Sequence, residues 1–324
     1  MTDVPDDVRR ASDLGATPDE VRRSAARGDL PGAPTHDAVR RAAEGAPQAA
    51  AELRARPLAG RLGEVALAWA RDGGVPAEPR PAATVILLRD GVGGPEVYLL
   101  RRTASMAFAP GMTVFPGGRV DQSDATVADA WAGPSPAEFG ARLGCSAELA
   151  VAYVAAAVRE TFEESGVLLA GPSASTVVAD TTGPDWEDDR VALEGRSLSF
   201  ADFLHRRGLV LRADLLGPWA HWITPEFEPR RYDTRFFLAA LPAGQKTRDV
   251  SGESDQVAWL SPSTAVAQVD AGELAMLPPT YLSCTELSSY DSVAAALDAA
   301  QHRVVTPILP RLRIEGDEAY LEGP

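Results

Sequence analysis

Only two cysteines, Cys145 and Cys284, occur in the 324 residues. A disulfide framework is excluded and a reducing compartment is expected. No stretch approaches the roughly 18 apolar residues of a membrane span. Positive charge is scarce: 31 Lys and Arg against 46 Asp and Glu give a net charge of −15 and a pI near 4.8. Nucleic-acid backbones call for basic surface, so a nucleic-acid partner is not expected. His36, His205, His221 and His302 are too scattered for a zinc motif. No Ser-His-Asp pattern or dinucleotide-binding glycine fingerprint stands out. The first residues are acidic where a signal peptide is basic, and Glu322-Gly323-Pro324 is not a peroxisomal address. A cytoplasmic location follows as the expectation.

What is present, 45% hydrophobic and 24% charged, suffices for one large domain with additions or for two domains. Residues 1–79 read as a helical extension. Thr17-Pro18-Asp19-Glu20 is a capping box with proline at the first helical position, and Thr35 can cap a second helix. Leu58, Leu62, Val65, Leu67 and Trp69 mark a third helix, ended by Gly73-Gly74. The extension holds too few large apolar residues for its own core. It is expected to cover the main domain or to stabilise a homodimer.

The main domain is expected over 80–324. Thr84 to Leu88 and Glu96 to Leu100 read as strands, and Val114-Phe115 as the end of a third, followed by an irregular loop at Pro116-Gly117-Gly118. Ser135-Pro136-Ala137-Glu138 predicts a short helix to Leu143, and Ser146 caps a long one. Residues 172–196, with the acidic Asp185-Trp186-Glu187-Asp188-Asp189 run, read as a loop. Phe200 to Arg207 reads as a helix. Strands are predicted near Val210, at Trp219 to Ile223, Arg235 to Ala239 and Gln256 to Leu260. Ser261-Pro262 opens a helix, and a C-terminal helical segment includes Ser292 to Gln301. Strands interleaved with helices argue for a mixed sheet packed by helices.

The densest chemistry is Arg159-Glu160-Thr161-Phe162-Glu163-Glu164-Ser165-Gly166-Val167. At about 100° per residue, Val151, Val154, Val158 and Phe162 share one face and the three glutamates gather roughly opposite. Glu160 and Glu164 lie one turn apart, and such a like-charge pair costs a few tenths of a kcal/mol. Either solubility or a divalent cation can offset that cost. Oxygen-only ligands suit Mg²⁺ or Mn²⁺.

Together with Val114-Phe115-Pro116-Gly117-Gly118, this run resembles the Nudix hydrolases, whose signature is G-x5-E-x7-R-E-U-x-E-E-x-G-U, U being aliphatic. Gly118 matches the opening glycine, and Arg159 to Val167 match the second half, with Thr161 at an aliphatic position. Asp124 stands where the signature has glutamate. The arginine arrives roughly 27 residues later than the signature spacing, so an insertion over about 124–150 is required. Leu99-Leu100-Arg101-Arg102 through Gly111-x3-Phe115 partly resembles the coenzyme A recognition motif of the family's coenzyme A diphosphatases, with Ala107 in place of a second arginine. The insertion, Arg230-Arg231-Tyr232-Asp233-Thr234-Arg235-Phe236-Phe237 and Leu277-Pro278-Pro279-Thr280 resemble the peroxisomal-type branch known from animals.

The resemblance implies an α/β/α sandwich with a mixed sheet over roughly residues 80–275. It also implies metal-dependent hydrolysis of a nucleoside diphosphate derivative, with coenzyme A or acyl-coenzyme A leading and ADP-ribose, NADH and nucleotide sugars open. A nucleotide-binding module without catalysis is the competing class. Carried over residue by residue, Glu160, Glu163 and Glu164 bind Mg²⁺ or Mn²⁺, with the Gly118 carbonyl joining them. Arg159 holds the carboxylates, against a surface ion pair worth under about 1 kcal/mol. Glu253 is the distal candidate for general base, with Glu226 and Glu228 competing. Arg101, Arg230, Arg231 and Gly117 are the candidate substrate contacts, arginine forks being suited to phosphate. His221 is expected to be a satisfied, partly buried histidine rather than a substrate contact.

Overall fold

The computed structural model describes Leu58, residues 60–104, Met106, residues 109–250 and residues 252–323. The helices expected before Leu58 and the substitution at Ala107 lie outside the described residues. Helix α1 (Gly60–Asp72) ends at Gly73, whose φ of +66° is the left-handed conformation glycine adopts freely. Strands β1 (Arg80–Gly91) and β2 (Gly94–Arg102) form a hairpin, and the short β3 (Thr113–Val114) and β4 (Gly117–Arg119) follow. After a 3-10 helix (Gln122–Ala130) come β5 (Trp131–Ala132), α2 (Pro136–Leu143) and α3 (Ala147–Ser165). Next are β6 (Ala170–Gly171), α4 (Pro184–Glu194), α5 (Phe200–Arg207), β7 (Val210–Arg212), β8 (Gly217–Ile223) and β9 (Tyr232–Ala240). The chain continues through β10 (Ser254–Leu260), α6 (Pro262–Asp270), α7 (Pro278–Leu287), α8 (Val293–His302) and β11 (Pro307–Ile308). It closes with the hairpin β12 (Arg311–Glu315) and β13 (Glu318–Glu322).

The main sheet runs β10-β2-β1-β9-β8-β11, with β3 on β2 and β4 on β1. It is mixed: β1 pairs with β9 in parallel from Arg80↔Tyr232 to Leu88↔Ala240, while β2 and β4 pair with β1 antiparallel. Both faces are covered, and strand alternation sorts the side chains. Val85, Leu87, Tyr98, Leu100 and Phe237 pack in the cluster that contains α3. Ile86, Leu88, Val97, Leu99 and Leu238 pack with residues of α6, α7 and α8. This is the expected α/β/α sandwich with a mixed sheet.

Three local readings are corrected. Residues 172–196 are not all loop, because Pro184–Glu194 is helical. Its acids are matched mainly by cations from elsewhere: Asp185 and Asp189 by Arg207, and Glu187 by Arg248, with Arg190 of the helix itself also on Glu187. Pro116-Gly117-Gly118 does not open an irregular loop; Gly117 and Gly118 enter β4 and pair with Thr84 and Ala83. The C-terminal segment is helical only to His302 and ends in a hairpin. Leu312, Ala319 and Leu321 of that hairpin pack with Leu62, Val65 and Ala66 of α1.

Candidate active site

Helix α3 carries the carboxylate run. Ser146 caps it by accepting from the Leu149 N–H, and Gly166, at φ +73°, ends it by donating to the Phe162 carbonyl. From Leu149 to Arg159 and from Thr161 to Ser165 every residue is buried. The glutamates therefore do not form a solvated face. The insertion adds to the cover of the helix: Val127 of the 3-10 helix and Phe139 and Leu143 of α2 join the same cluster as Val151, Val154 and Val158. A helix covered on all sides must be apolar all round except where its polar groups are paired. Thr161 meets that demand by donating its hydroxyl to the Ala157 carbonyl at 2.7 Å.

Arg159 is the hub. Its Nε and Nη2 donate to the two carboxylate oxygens of Asp124 at 3.0 and 2.9 Å, and Nη1 donates to Glu160 at 2.8 Å and Glu163 at 3.1 Å. A further bond from Nη2 reaches the Arg119 carbonyl, tying α3 to β4. Asp124, fully buried, also accepts from the Asp121 N–H and closes the start of the 3-10 helix. The carboxylate on the near side of the insertion thus meets the arginine on its far side.

The glycines come from close approach. The Gly117 N–H donates to Glu164 at 2.8 Å, and a Cβ on Gly117 would sit 2.5 Å from the Ala83 carbonyl. A Cβ on Gly118 would sit 2.5 Å from the Glu160 carboxylate. Gly118 lets β4 lie directly against Glu160, and Gly117 lets it lie close against β1.

Burial raises the carboxyls of Glu160, Glu163 and Glu164 above their usual range, and the Glu160 charge adds to the rise at Glu163 and Glu164. Glu163 is pushed up to about 8. Among the described residues, no three Asp, Glu, His or Cys side chains converge at ligand distance; Glu160 and Glu163 turn to Arg159, and Glu164 to Gly117. Three carboxylates around Arg159 and the neighbouring Glu164, all hard oxygen donors, nonetheless fit Mg²⁺ or Mn²⁺ in charge and chemistry.

That charge imbalance makes stability depend on pH. A carboxyl whose pKa is raised on folding adds stability at low pH that is lost as pH rises through the raised value. His221 acts oppositely below its usual 6.5, because burial lowers it to about 4. In chelator, the melting temperature should therefore fall between about pH 6.5 and pH 8, and Mn²⁺ added at about pH 8 should restore it. A melting temperature that climbs across this window in chelator would contradict the buried-carboxylate account.

The distal candidates separate. Glu253, exposed in the loop before β10, pairs with Arg102 at 3.5 Å, and its charge contributes to the raised carboxyls of Glu160 and Glu164. Glu226 and Glu228 lie in the β8–β9 connection. Arg101 turns the other way. It follows Leu99 onto the face of α6–α8, lines a cavity of about 330 Å³ with Leu260 and Leu274, and grips Asp255 with both fork nitrogens at 2.7 and 3.0 Å. Arg102 follows Leu100 onto the face of α3 and lowers the Glu164 carboxyl against the effect of burial. The arginine that β2 presents to the glutamates is thus Arg102, not Arg101; period-2 alternation, counted from the buried Leu100, carried that signal.

Arg231 is also corrected as a substrate contact. It is 1% exposed and donates to the carbonyls of Thr224 and Ala77 at 2.9 and 2.8 Å, clamping the entry to β1. Arg235 is buried against Asp233, and Arg230 is exposed in the β8–β9 connection. His221 is buried and bonded to Asp233 at 2.5 Å, a satisfied core histidine.

Comparison with known proteins places this geometry. A model of the NUDT19 Nudix domain matches residues 134–287. "Putative nudix hydrolase 7" of Caenorhabditis elegans is 30% identical over 221 residues, covering 67% of this chain and 63% of that protein. "Acyl-coenzyme A diphosphatase NUDT19" of Homo sapiens is 28% identical over 294 residues, covering 76% of this chain and 75% of the human one. The chain thus spans less than two thirds of the nematode relative's length. The crystal structure of a NUDIX hydrolase from Alicyclobacillus acidocaldarius superposes with a TM-score of 0.60 at 30% identity, over 68% of this chain and 96% of that one. With the same sandwich and the glutamate run on its helix, the chain belongs to the Nudix hydrolase family.

Proposed function

We propose that this protein hydrolyses the pyrophosphate bond of a nucleoside diphosphate derivative in a divalent-cation-dependent reaction, with coenzyme A or an acyl-coenzyme A as substrate. The observation that carries the reading is the carboxylate cluster in which Arg159 holds Glu160 and Glu163, the Gly117 N–H holds Glu164, and Gly118 lies against Glu160. Glu160, Glu163 and Glu164 would hold Mg²⁺ or Mn²⁺, which supplies neutralisation of phosphate charge and activation of water. Arg159 fixes Glu160 and Glu163 rather than touching substrate. Arg102 presents a fork suited to phosphate beside Glu164. Glu253, whose charge acts on Glu160 and Glu164, is the candidate to accept a proton from the attacking water.

The names of the chicken and human relatives, both acyl-coenzyme A diphosphatases, support the choice of substrate. A panel of coenzyme A, acyl-coenzyme A, ADP-ribose, NADH and nucleotide sugars with Mg²⁺ or Mn²⁺ tests it. Coenzyme A should yield 3′,5′-ADP and 4′-phosphopantetheine. Arg102→Ala should raise KM for coenzyme A, a lost charge-assisted hydrogen bond being worth about 1.5–3 kcal/mol. Faster turnover of ADP-ribose or NADH than of every coenzyme A derivative would reject the substrate and leave the chemistry standing.

A further inference from the structure

The last four carbonyls of an α-helix have no partner within it. In α3 these belong to Phe162, Glu163, Glu164 and Ser165, the turn that carries two of the signature glutamates. Gly166 serves Phe162. Arg190 of α4 serves Glu163: its Nη1 donates to that carbonyl at 2.8 Å. The Arg248 N–H serves Ser165 at 2.9 Å.

Arg190 is 3% exposed, and its other bonds leave it little freedom. Glu187 takes Nε and Nη2, and Glu194 takes Nη1 at 2.9 Å. Glu187 also accepts from Arg248 at 2.7 Å. Glu194 in turn accepts from the Gly252 N–H, immediately before Glu253, at 3.4 Å. A continuous network therefore runs from the carbonyl of Glu163, through α4, to the loop bearing Glu253. Cations at the carboxyl end of a helix are also favoured by its dipole.

We propose that Arg190 is a positioning residue: it fixes the last turn of α3 and, through Glu194, ties that turn to the Glu253 loop, so that carboxylates from two segments meet in register. This role rests on the metal-dependent pyrophosphohydrolase reading. Lysine cannot replace the fork, since one ammonium does not bond a carbonyl and two carboxylates in a fixed plane.

The test compares full-length wild type, Arg190→Lys and Glu194→Gln for Mn²⁺ binding by electron paramagnetic resonance titration, for kcat and KM, and for melting temperature. Arg190→Lys should weaken Mn²⁺ binding by about tenfold or more. Its kcat should fall while KM for the pyrophosphate substrate stays near wild type. Glu194→Gln, which leaves Arg190 in place, should show the same pattern more weakly. Wild-type Mn²⁺ affinity and kcat in both variants, with only the melting temperature lowered, would overturn the role. If Arg190→Lys does not fold, Glu194→Gln decides: weakened Mn²⁺ binding supports the role and unchanged binding overturns it. A wild-type chain that binds no Mn²⁺ and cleaves no diphosphate would overturn the pyrophosphohydrolase reading itself, and this role with it.

Discussion

Glu164→Gln should lower turnover by about a hundredfold or more while leaving the melting temperature unchanged or raised. Glutamine keeps the shape and one carbonyl oxygen, so the bond from the Gly117 N–H survives. The negative charge is lost, and with it a hard ligand whose contribution to transition-state charge is worth several kcal/mol. Burial and the neighbouring Glu160 already disfavour that charge in the folded protein. Removing it relieves the fold even as it disables the chemistry, the trade expected where a site is built against stability. Glu160→Gln should follow the same pattern. A Glu164→Gln variant within about threefold of wild type, well under the 1.4 kcal/mol of a tenfold change, would move the cation site elsewhere.

Removing the hub should do the reverse. Arg159→Met strands Asp124, Glu160 and Glu163 in a buried setting, and breaking a buried pair in this way costs about 3–5 kcal/mol. That is a large share of the roughly 5–15 kcal/mol by which domains are stable. The variant should be largely unfolded or strongly destabilised near neutral pH and should recover as acid protonates the stranded carboxyls. Asp124→Asn, which keeps the shape and removes one charge-assisted partner, should cost about 1.5–3 kcal/mol. Urea titrations at two pH values separate these outcomes. An Arg159→Met protein as stable as wild type at neutral pH would mean that the carboxylates are not held by this arginine.

Where signals are local, the sequence was a good guide. Ser146 and Gly166 bounded α3, Ser135 and Gly144 bounded α2, and the apolar runs of β1 and β2 needed no tertiary information. Readings failed where the deciding partner was distant. Helix α4 looked like loop because its acids are stabilised by Arg207 and Arg248, which lie outside it. Arg231 looked like a phosphate fork because its binding partners are backbone carbonyls, which sequence does not reveal. The exchange of Arg101 for Arg102 is a one-residue matter of strand phase. The closing hairpin was missed although its signal is local: Leu312 and Ile314 alternate with polar residues before Gly316, as do Ala319 and Leu321 after it.

The bond between Asp124 and Arg159 closes a loop of 35 residues, where the family signature closes one of 8. Loop-closure entropy grows only with the logarithm of length, so this fourfold extension costs about 1.2 kcal/mol. A few buried side chains such as Val127, Phe139 and Leu143 outweigh it, at about 1.5–3 kcal/mol each. The cost falls instead on kinetics: the ion pair cannot form until the intervening chain has collapsed onto α3, and contacts between remote residues are slow to form. In refolding, the carboxylate cluster should mature late, after the sheet. Fluorescence of Trp131, inside the loop, should report that final step.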